Sequence, residues 1–324
     1  MENQHPFAQY IRTLGRGKKG SRDLSENEAC DAFRMILLDK TKPEQVGAFL
    51  MLLRVKEESP AELAGFVRAA RSIMALPATA PDLHLDWSSY AGKRRQLPWF
   101  ILSALLLVEN NISVLIHGIS GRKDNRIYTP AAMQMLQLPI CTSLEDAART
   151  IDNKKFAYIS LAHIVPKLAE LISLRDIFGL RSPVHSLSRM LNPFAAAHQL
   201  IGVFHPGYVQ THRDAGVLLK QTHLTVIKGE GGEMERNPDV NCQALTLHNG
   251  ENSSENWPAM FPKRHLKESD MDVRRLNALW HAEINDDYAV AAVTGTAAIA
   301  LKLLGKADTI QAANDLANEL WANR

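Results

Sequence analysis

Hydrophobic periodicity changes once along this chain, near residue 76, and that change limits the folds open to it. Up to about residue 75 every patterned segment is helical. Ser25-Glu26-Asn27-Glu28 reads as a capping box, the Ser oxygen accepting a backbone N–H while Glu28 reaches back. Ala29, Ala32, Phe33, Ile36 and Leu37 then recur at helical spacing. A second helix starts near Thr41–Glu44, with Val46, Phe49, Leu50 and Leu53 on one face and Met51 and Leu52 on another. Such a helix is covered on two sides, by a core or by a subunit interface. A third begins at Ser59-Pro60-Ala61-Glu62, with Pro60 at the first helical position. Leu63, Phe66, Val67, Ala70 and Met74 line its inner face.

Residues 76 to 90 read as a linker and a short strand around Leu83 and Leu85. Helical and strand patterns alternate from there: a helix over Trp99–Asn110, a strand over Ser113–Ile116, helices near 130–137 and 144–151, and a strand near 156–161. Helices over about 165–190 and a strand at Leu224–Ile227 follow. Residues 237 to 270 read as turn-rich, and helices at 271–284, 287–304 and 308–322 close the chain. An all-helical start followed by alternation predicts a small N-terminal helical domain plus a larger α/β domain with a mainly parallel sheet flanked by helices. The division expected is 1–75 and 76–324, with helices from about 165–195 joining the first. A length of 324 residues suits such a pair.

Little in the sequence points to familiar catalysis. There is no GxSxG elbow, and the 12 histidines form no HExxH or HxH pair, so no metal and no cofactor is expected. Cys30, Cys141 and Cys242 are distant from one another and read as structural. Their odd number favours a reducing cytoplasm. The longest apolar run, Phe100 to Val108, is too short to span a bilayer.

Charge is more informative by place than by sum, since the formal net charge is only +2. Arg12, Arg16, Lys18, Lys19 and Arg22 surround the run Gly15-Arg16-Gly17-Lys18-Lys19-Gly20 with no acid between residues 12 and 22. That run lacks the GK[ST] ending and the preceding strand of a phosphate loop. It reads either as a solvated loop or as a contact for backbone phosphates. Further basic groups are Lys93-Arg94-Arg95, Arg122-Lys123-Arg126, Lys263-Arg264-Lys267 and Arg274-Arg275. Acids gather later, at Glu230, Glu233, Glu235, Asp239, Glu251 and Glu255. This separation permits a basic groove if folding brings the cations to one face.

Glu44 through Lys56, Ser59-Pro60-Ala61-Glu62-Leu63-Ala64-Gly65, His117-Gly118, Arg175 through Arg181, Asn192-Pro193, Gly202 through Pro206 and Ala297 through Leu301 resemble, in order, the anthranilate phosphoribosyltransferase family. The resemblance covers nearly the whole chain. It implies a helical domain that dimerises and an α/β domain that binds the substrates. His117, Gly118 and Arg175 fall where the family places substrates. Three family elements are altered. The GTGGDG diphosphate loop is replaced by Asp86 through Arg95; KHGNR becomes Ile116-His117-Gly118-Ile119-Ser120; and the Asp-Glu pair that holds magnesium becomes Met234-Glu235. A thioether is not a hard-oxygen ligand for magnesium.

Gly15-Arg16-Gly17-Lys18 with Arg22, and Tyr90-Ala91-Gly92-Lys93-Arg94, resemble a non-enzymatic, nucleic-acid-binding branch of the same superfamily. The resemblance implies a homodimer that binds DNA and RNA without marked sequence preference. Arg16, Lys18, Lys19, Arg22, Lys93, Arg94 and Arg95 are the expected phosphate contacts, with no catalytic residue. The alternative is an active phosphoribosyltransferase or nucleoside phosphorylase with an unusual acceptor.

Overall fold

The computed structural model describes residues 4–17, 19–121, 126–266 and 270–324. Four helices open the chain: α1 (Ala8–Gly15), α2 (Glu26–Leu37), α3 (Pro43–Lys56) and α4 (Pro60–Arg71). Ser25 and Ser59 both cap through full capping boxes, closed by Glu28 and Glu62. Glu62 is fully buried and also accepts from Leu24 N (2.9 Å) and Lys56 Nζ (2.7 Å). A chain of rings, Phe7–Phe49 at 5.2 Å, Phe49–Phe66 at 6.0 Å and Phe66–Phe33 at 5.1 Å, ties the four helices together. Helix α1 covers part of the second face of α3, where Gly15 lies against Leu52.

The sheet has eight strands in the order β3-β4-β2-β1-β5-β6-β7-β8. They are β1 (Leu85–Ser89), β2 (Val114–Gly118), β3 (Ile140–Cys141), β4 (Phe156–Ser160), β5 (His198–Val203), β6 (His223–Lys228), β7 (Cys242–His248) and β8 (Glu251–Trp257). Pairing is parallel as far as β6, and only β7 and β8 run antiparallel. Successive residues of β2 serve opposite faces: Leu115 joins the core shared with the opening helices, Val114 and Ile116 the other. That second core is roofed by α5 (Phe100–Glu109) and α14 (Asp287–Leu303), with α15 (Ile310–Ala322) against α14. Short helices α8 (Leu161–Ile164), α9 (Pro166–Ser173), α10 (Arg175–Phe178) and α11 (Val184–Ser188) return to the first, α11 touching α4.

The turn-rich reading of 237–270 is corrected by the β7–β8 hairpin. Its two-residue turn, Asn249 (φ 48°) and Gly250 (φ 86°), has the left-handed backbone that such hairpins require. Among the described residues, no helix is long and apolar enough to cross a membrane. Cys30, Cys141 and Cys242 are free thiols.

Candidate functional site

Strand order reverses between β1 and β5, since the chain runs from β1 outward to β2 and later returns to β5. The crevice at the carboxyl ends of strands at such a switch is where open α/β sheets bind ligands. Tyr90 through Lys93 leave β1 there, and Phe204 leaves β5.

Behind that edge lies a closed polar network. Tyr90 Oη is 2.7 Å from His117 Nδ1, and His117 Nε2 is 3.3 Å from Asp86 Oδ1. Asp86 Oδ1 also accepts from Gln199 Nε2 at 2.8 Å. All four residues are buried. His117 and Gly118 are therefore brought to the site region, with the imidazole spent on internal partners.

The turn after β1 is occupied by acids from the other end of the sequence. The backbone N–H groups of Ala91 and Gly92 both donate to Glu233 Oε1, at 2.7 and 2.5 Å. Lys93, 1% exposed, pairs with the fully buried Glu235 at 2.5 Å. Glu235 Oε2 accepts from Phe100 N at 2.8 Å. Burial raises the Glu235 carboxyl to about 6 in spite of Lys93 beside it. The expectation that Lys93 meets phosphate is thereby corrected: its ammonium is inside the protein, held by a carboxylate 142 residues away.

Arginines crowd the mouth of the crevice. Arg126 donates to Ala91 O (3.0 Å) and Gly92 O (2.8 Å). It is lowered from its ordinary pKa by burial and by the charges of Arg94 and Arg175. Arg181 is pulled down to about 10, first by burial and then by Arg189, Arg175 and Arg126. Arg94 is exposed, whereas Arg126, Arg175 and Arg181 are half-buried. None of these four makes an ion pair with a carboxylate among the described residues. A cleft of about 110 Å³ adjoins them, lined by Arg54, Arg181, His185, Arg189, Phe204 and Tyr208.

Sequence reasoning reached Arg94, Arg126 and Arg175 but not Arg181 or Arg189 as charged groups of the site. Their signal was the cationic spacing within Arg175–Arg189, which reads by periodicity only as helix. Arg16, Lys19 and Arg95 are exposed. Arg22 is exposed but held by both oxygens of Glu28, at 2.7 Å each. No hydrogen bond or ion pair joins residues 16–22 to the arginine group among the described residues. Lys18, Arg122, Lys123 and Lys267 lie outside the described residues.

Residues 8–74 match the helical-bundle domain of a glycosyl transferase family. Anthranilate phosphoribosyltransferase of Rhizobium rhizogenes is 28% identical over 305 residues, spanning 89% of this chain and 86% of that protein. The chain is thus similar to anthranilate phosphoribosyltransferases over most of its length. YbiB of Escherichia coli, an uncharacterized protein, is 26% identical over 249 residues, covering 74% of this chain and 76% of YbiB. The fold agrees with that of the Thermus thermophilus anthranilate phosphoribosyltransferase: TM-score 0.81 at 19% identity, over 98% of this chain and 95% of the other.

The magnesium implied by the resemblance to the phosphoribosyltransferases does not fit these residues. Met234 is fully buried in the second core. Glu235 is taken by Lys93 and the Phe100 amide, and Glu233 by the Ala91 and Gly92 amides. Among the described residues, no group of three or more His, Cys, Asp or Glu is placed to hold a metal ion.

Proposed function

We propose that the chain is a sequence-nonspecific nucleic-acid-binding protein on a phosphoribosyltransferase scaffold that has given up transfer chemistry. The observation that carries this reading is the group Arg94, Arg126, Arg175 and Arg181, in which neighbouring guanidinium charges help to lower Arg126 and Arg181 and which, among the described residues, has no ion pair with a carboxylate. Like charges held together raise the free energy of the empty site, and a polyanion laid across them relieves it. A guanidinium fork suits phosphate oxygens at an exposed rim. The turn that would cradle a small diphosphate is already filled by Glu233, which favours a ligand lying along the arginines. Arg16, Lys19 and Arg95 extend the contact set as exposed cations; Lys93 is not part of it.

We take the protein to act as a cytoplasmic homodimer. Val55 at 84% and Ile177 at 79% exposure leave apolar side chains on neighbouring helices α3 and α10. Sedimentation at micromolar concentration checks this, and a monomer would refute it.

The deciding experiment is fluorescence anisotropy with single- and double-stranded DNA and RNA over a salt series. Replacing the four arginines by alanine should flatten the slope of log K against log salt, on duplex DNA, by about 0.9 for each phosphate that is no longer neutralised. The weakening should be alike for unrelated sequences. Wild-type protein that binds no nucleic acid, or binds phosphoribosyl diphosphate with magnesium at micromolar concentration in calorimetry, would overturn the proposal.

A further inference from the structure

We propose that strand β8 is a docking edge for an extended basic segment of another protein, which adds beside it as a further strand and sends lysine or arginine side chains into the cavity at the end of α14. β8 closes the sheet on one side. It has β7 on its inner flank and, among the described residues, neither a strand nor a backbone hydrogen bond on its outer flank. Its first four residues and Asn256 are exposed. The two-residue turn pairs His248 with Glu251, and in such a hairpin the closing pair carries cross-strand bonds. Asn252, Ser254 and Asn256 therefore turn their N–H and C=O groups away from β7. Edge strands are commonly blunted by lysine, proline or a bulge. Here the ladder to β7 runs unbroken through seven residue pairs, and the strand holds neither lysine nor proline.

A cavity of about 310 Å³ adjoins this edge, lined by Ser253, Glu255 and Trp257 of β8, by Lys302 and Leu303 of α14, and by Asp308. The three β8 residues alternate in sequence, so they share the face of the sheet that α14 roofs. A strand laid along β8 would send every second side chain to that same face. Peptides added to a sheet edge gain affinity from the backbone ladder and specificity from pockets that receive alternate side chains.

Charge selects the occupant. From residue 237 to residue 262 the sequence has no lysine or arginine, while it carries Asp239, Glu251 and Glu255. Lys302, at the cavity wall, is already paired with Glu255 at 3.0 Å. Asp308 is exposed and, among the described residues, has no ion-pair partner. Helix α14 ends at Leu303, and the carboxyl end of a helix also favours a cation. A second copy of β8 is the poorer occupant, because self-pairing would set Glu251 and Glu255 of both copies along one ladder, where like charges repel.

The test uses the full-length protein and a fluorescein-labelled, blocked nonapeptide of alternating threonine and lysine. The same peptide with glutamine for lysine is the neutral control and should bind about fivefold more weakly. Ser254→Pro removes one outward N–H at a position where an edge strand tolerates proline. It should keep its melting temperature close to wild type and weaken the lysine peptide by about tenfold. Glu255→Gln combined with Asp308→Asn leaves the backbone unchanged and should weaken the lysine peptide by about fivefold while sparing the glutamine one, so the charge arm stands even if the proline variant misfolds. In the nitrogen–proton spectrum, the Asn252, Ser254 and Asn256 amides should shift with the lysine peptide and exchange more slowly with solvent. No binding at millimolar concentration, equal affinity for the two peptides, full affinity in folded Ser254→Pro, or shifts that spare β8 would overturn the proposal. Self-association of the wild type that Ser254→Pro abolishes would assign the edge to a second copy and overturn it equally. All of these readings are made without nucleic acid.

Discussion

Replacing Lys93 by alanine separates an internal lock from a surface contact. Lys93 is 1% exposed, and its ammonium lies 2.5 Å from a carboxylate that is fully buried. Removing one partner of a buried pair leaves the other charged in a poorly solvating interior, at a cost of about 3–5 kcal/mol. An exposed cation next door, Arg94, should change stability by no more than about 0.5 kcal/mol when truncated. The double replacement Lys93→Met with Glu235→Gln removes both charges. It keeps an acceptor for the Phe100 amide, now 2.8 Å from Glu235 Oε2, and should recover most of the stability.

Acid adds a second signature. Burial already lifts the Glu235 carboxyl to about 6 with Lys93 present; without Lys93 it rises further. The folded variant then holds this proton more tightly than the unfolded chain, so its stability falls as pH rises through the folded value. The deficit of Lys93→Ala against wild type should accordingly be smaller at pH 5.5 than at pH 8. Urea unfolding followed by tryptophan fluorescence, wild type beside Lys93→Ala, Arg94→Ala and the double variant, measures all of this. A Lys93→Ala deficit below about 1 kcal/mol at pH 8, or one that grows in acid, would refute the lock.

Two other outcomes follow from buried groups. His185 is lowered to about 3 and His212 to about 4, chiefly by burial and then by neighbouring arginines. Both stay neutral in the fold while the unfolded chain protonates near 6.5, so stability present above that pH is lost on acidification. Each histidine contributes a slope of about 1.4 kcal/mol per pH unit. Glu235, raised from 4.5 to about 6, has the opposite sign and offsets one of the two slopes between those values. Urea midpoints that stay flat from pH 7 to 5 would contradict this. Gly65→Ala places a Cβ 2.3 Å from Glu26 O and 2.7 Å from Ala29 Cβ, where α4 crosses α2. It should cost about 1–3 kcal/mol in thermal unfolding, whereas Gly207→Ala, with nothing within 4 Å, should cost nothing.

Much of the architecture was legible because it rests on local rules. The Ser25 capping box, Pro60 at the start of α4 and the apolar spacing of α2 to α4 appear where the periodicity places them. Helix α1 escaped the sequence reading although Phe7, Tyr10, Ile11 and Leu14 carry helical spacing, because the segment is short and runs straight into a glycine–lysine loop. Strand β8, Glu251–Trp257, has few strand-forming residues. It is held by its ladder to β7 and by the Asn249–Gly250 turn. Strand β5, His198–Val203, was too short an apolar run to stand out, and its place beside β1 comes from pairing with a segment over a hundred residues earlier.

The sequence by itself determined the opening helices α2 to α4, the strand–helix alternation that calls for a mainly parallel sheet, and the alteration of three phosphoribosyltransferase motifs, since each depends on residue type and near-neighbour spacing. Only tertiary structure decided what the altered residues do. Lys93 and Arg94 are adjacent and chemically alike, yet one is buried against Glu235 and the other exposed among arginines. Ala91 and Gly92 offer amides that nothing in their own segment satisfies, and the carboxylate that fills them is 141 residues away from Gly92. Charge and hydrogen bonding act through space, and in a low-dielectric interior their strength depends on burial and distance. Those two quantities arise only when the chain closes on itself.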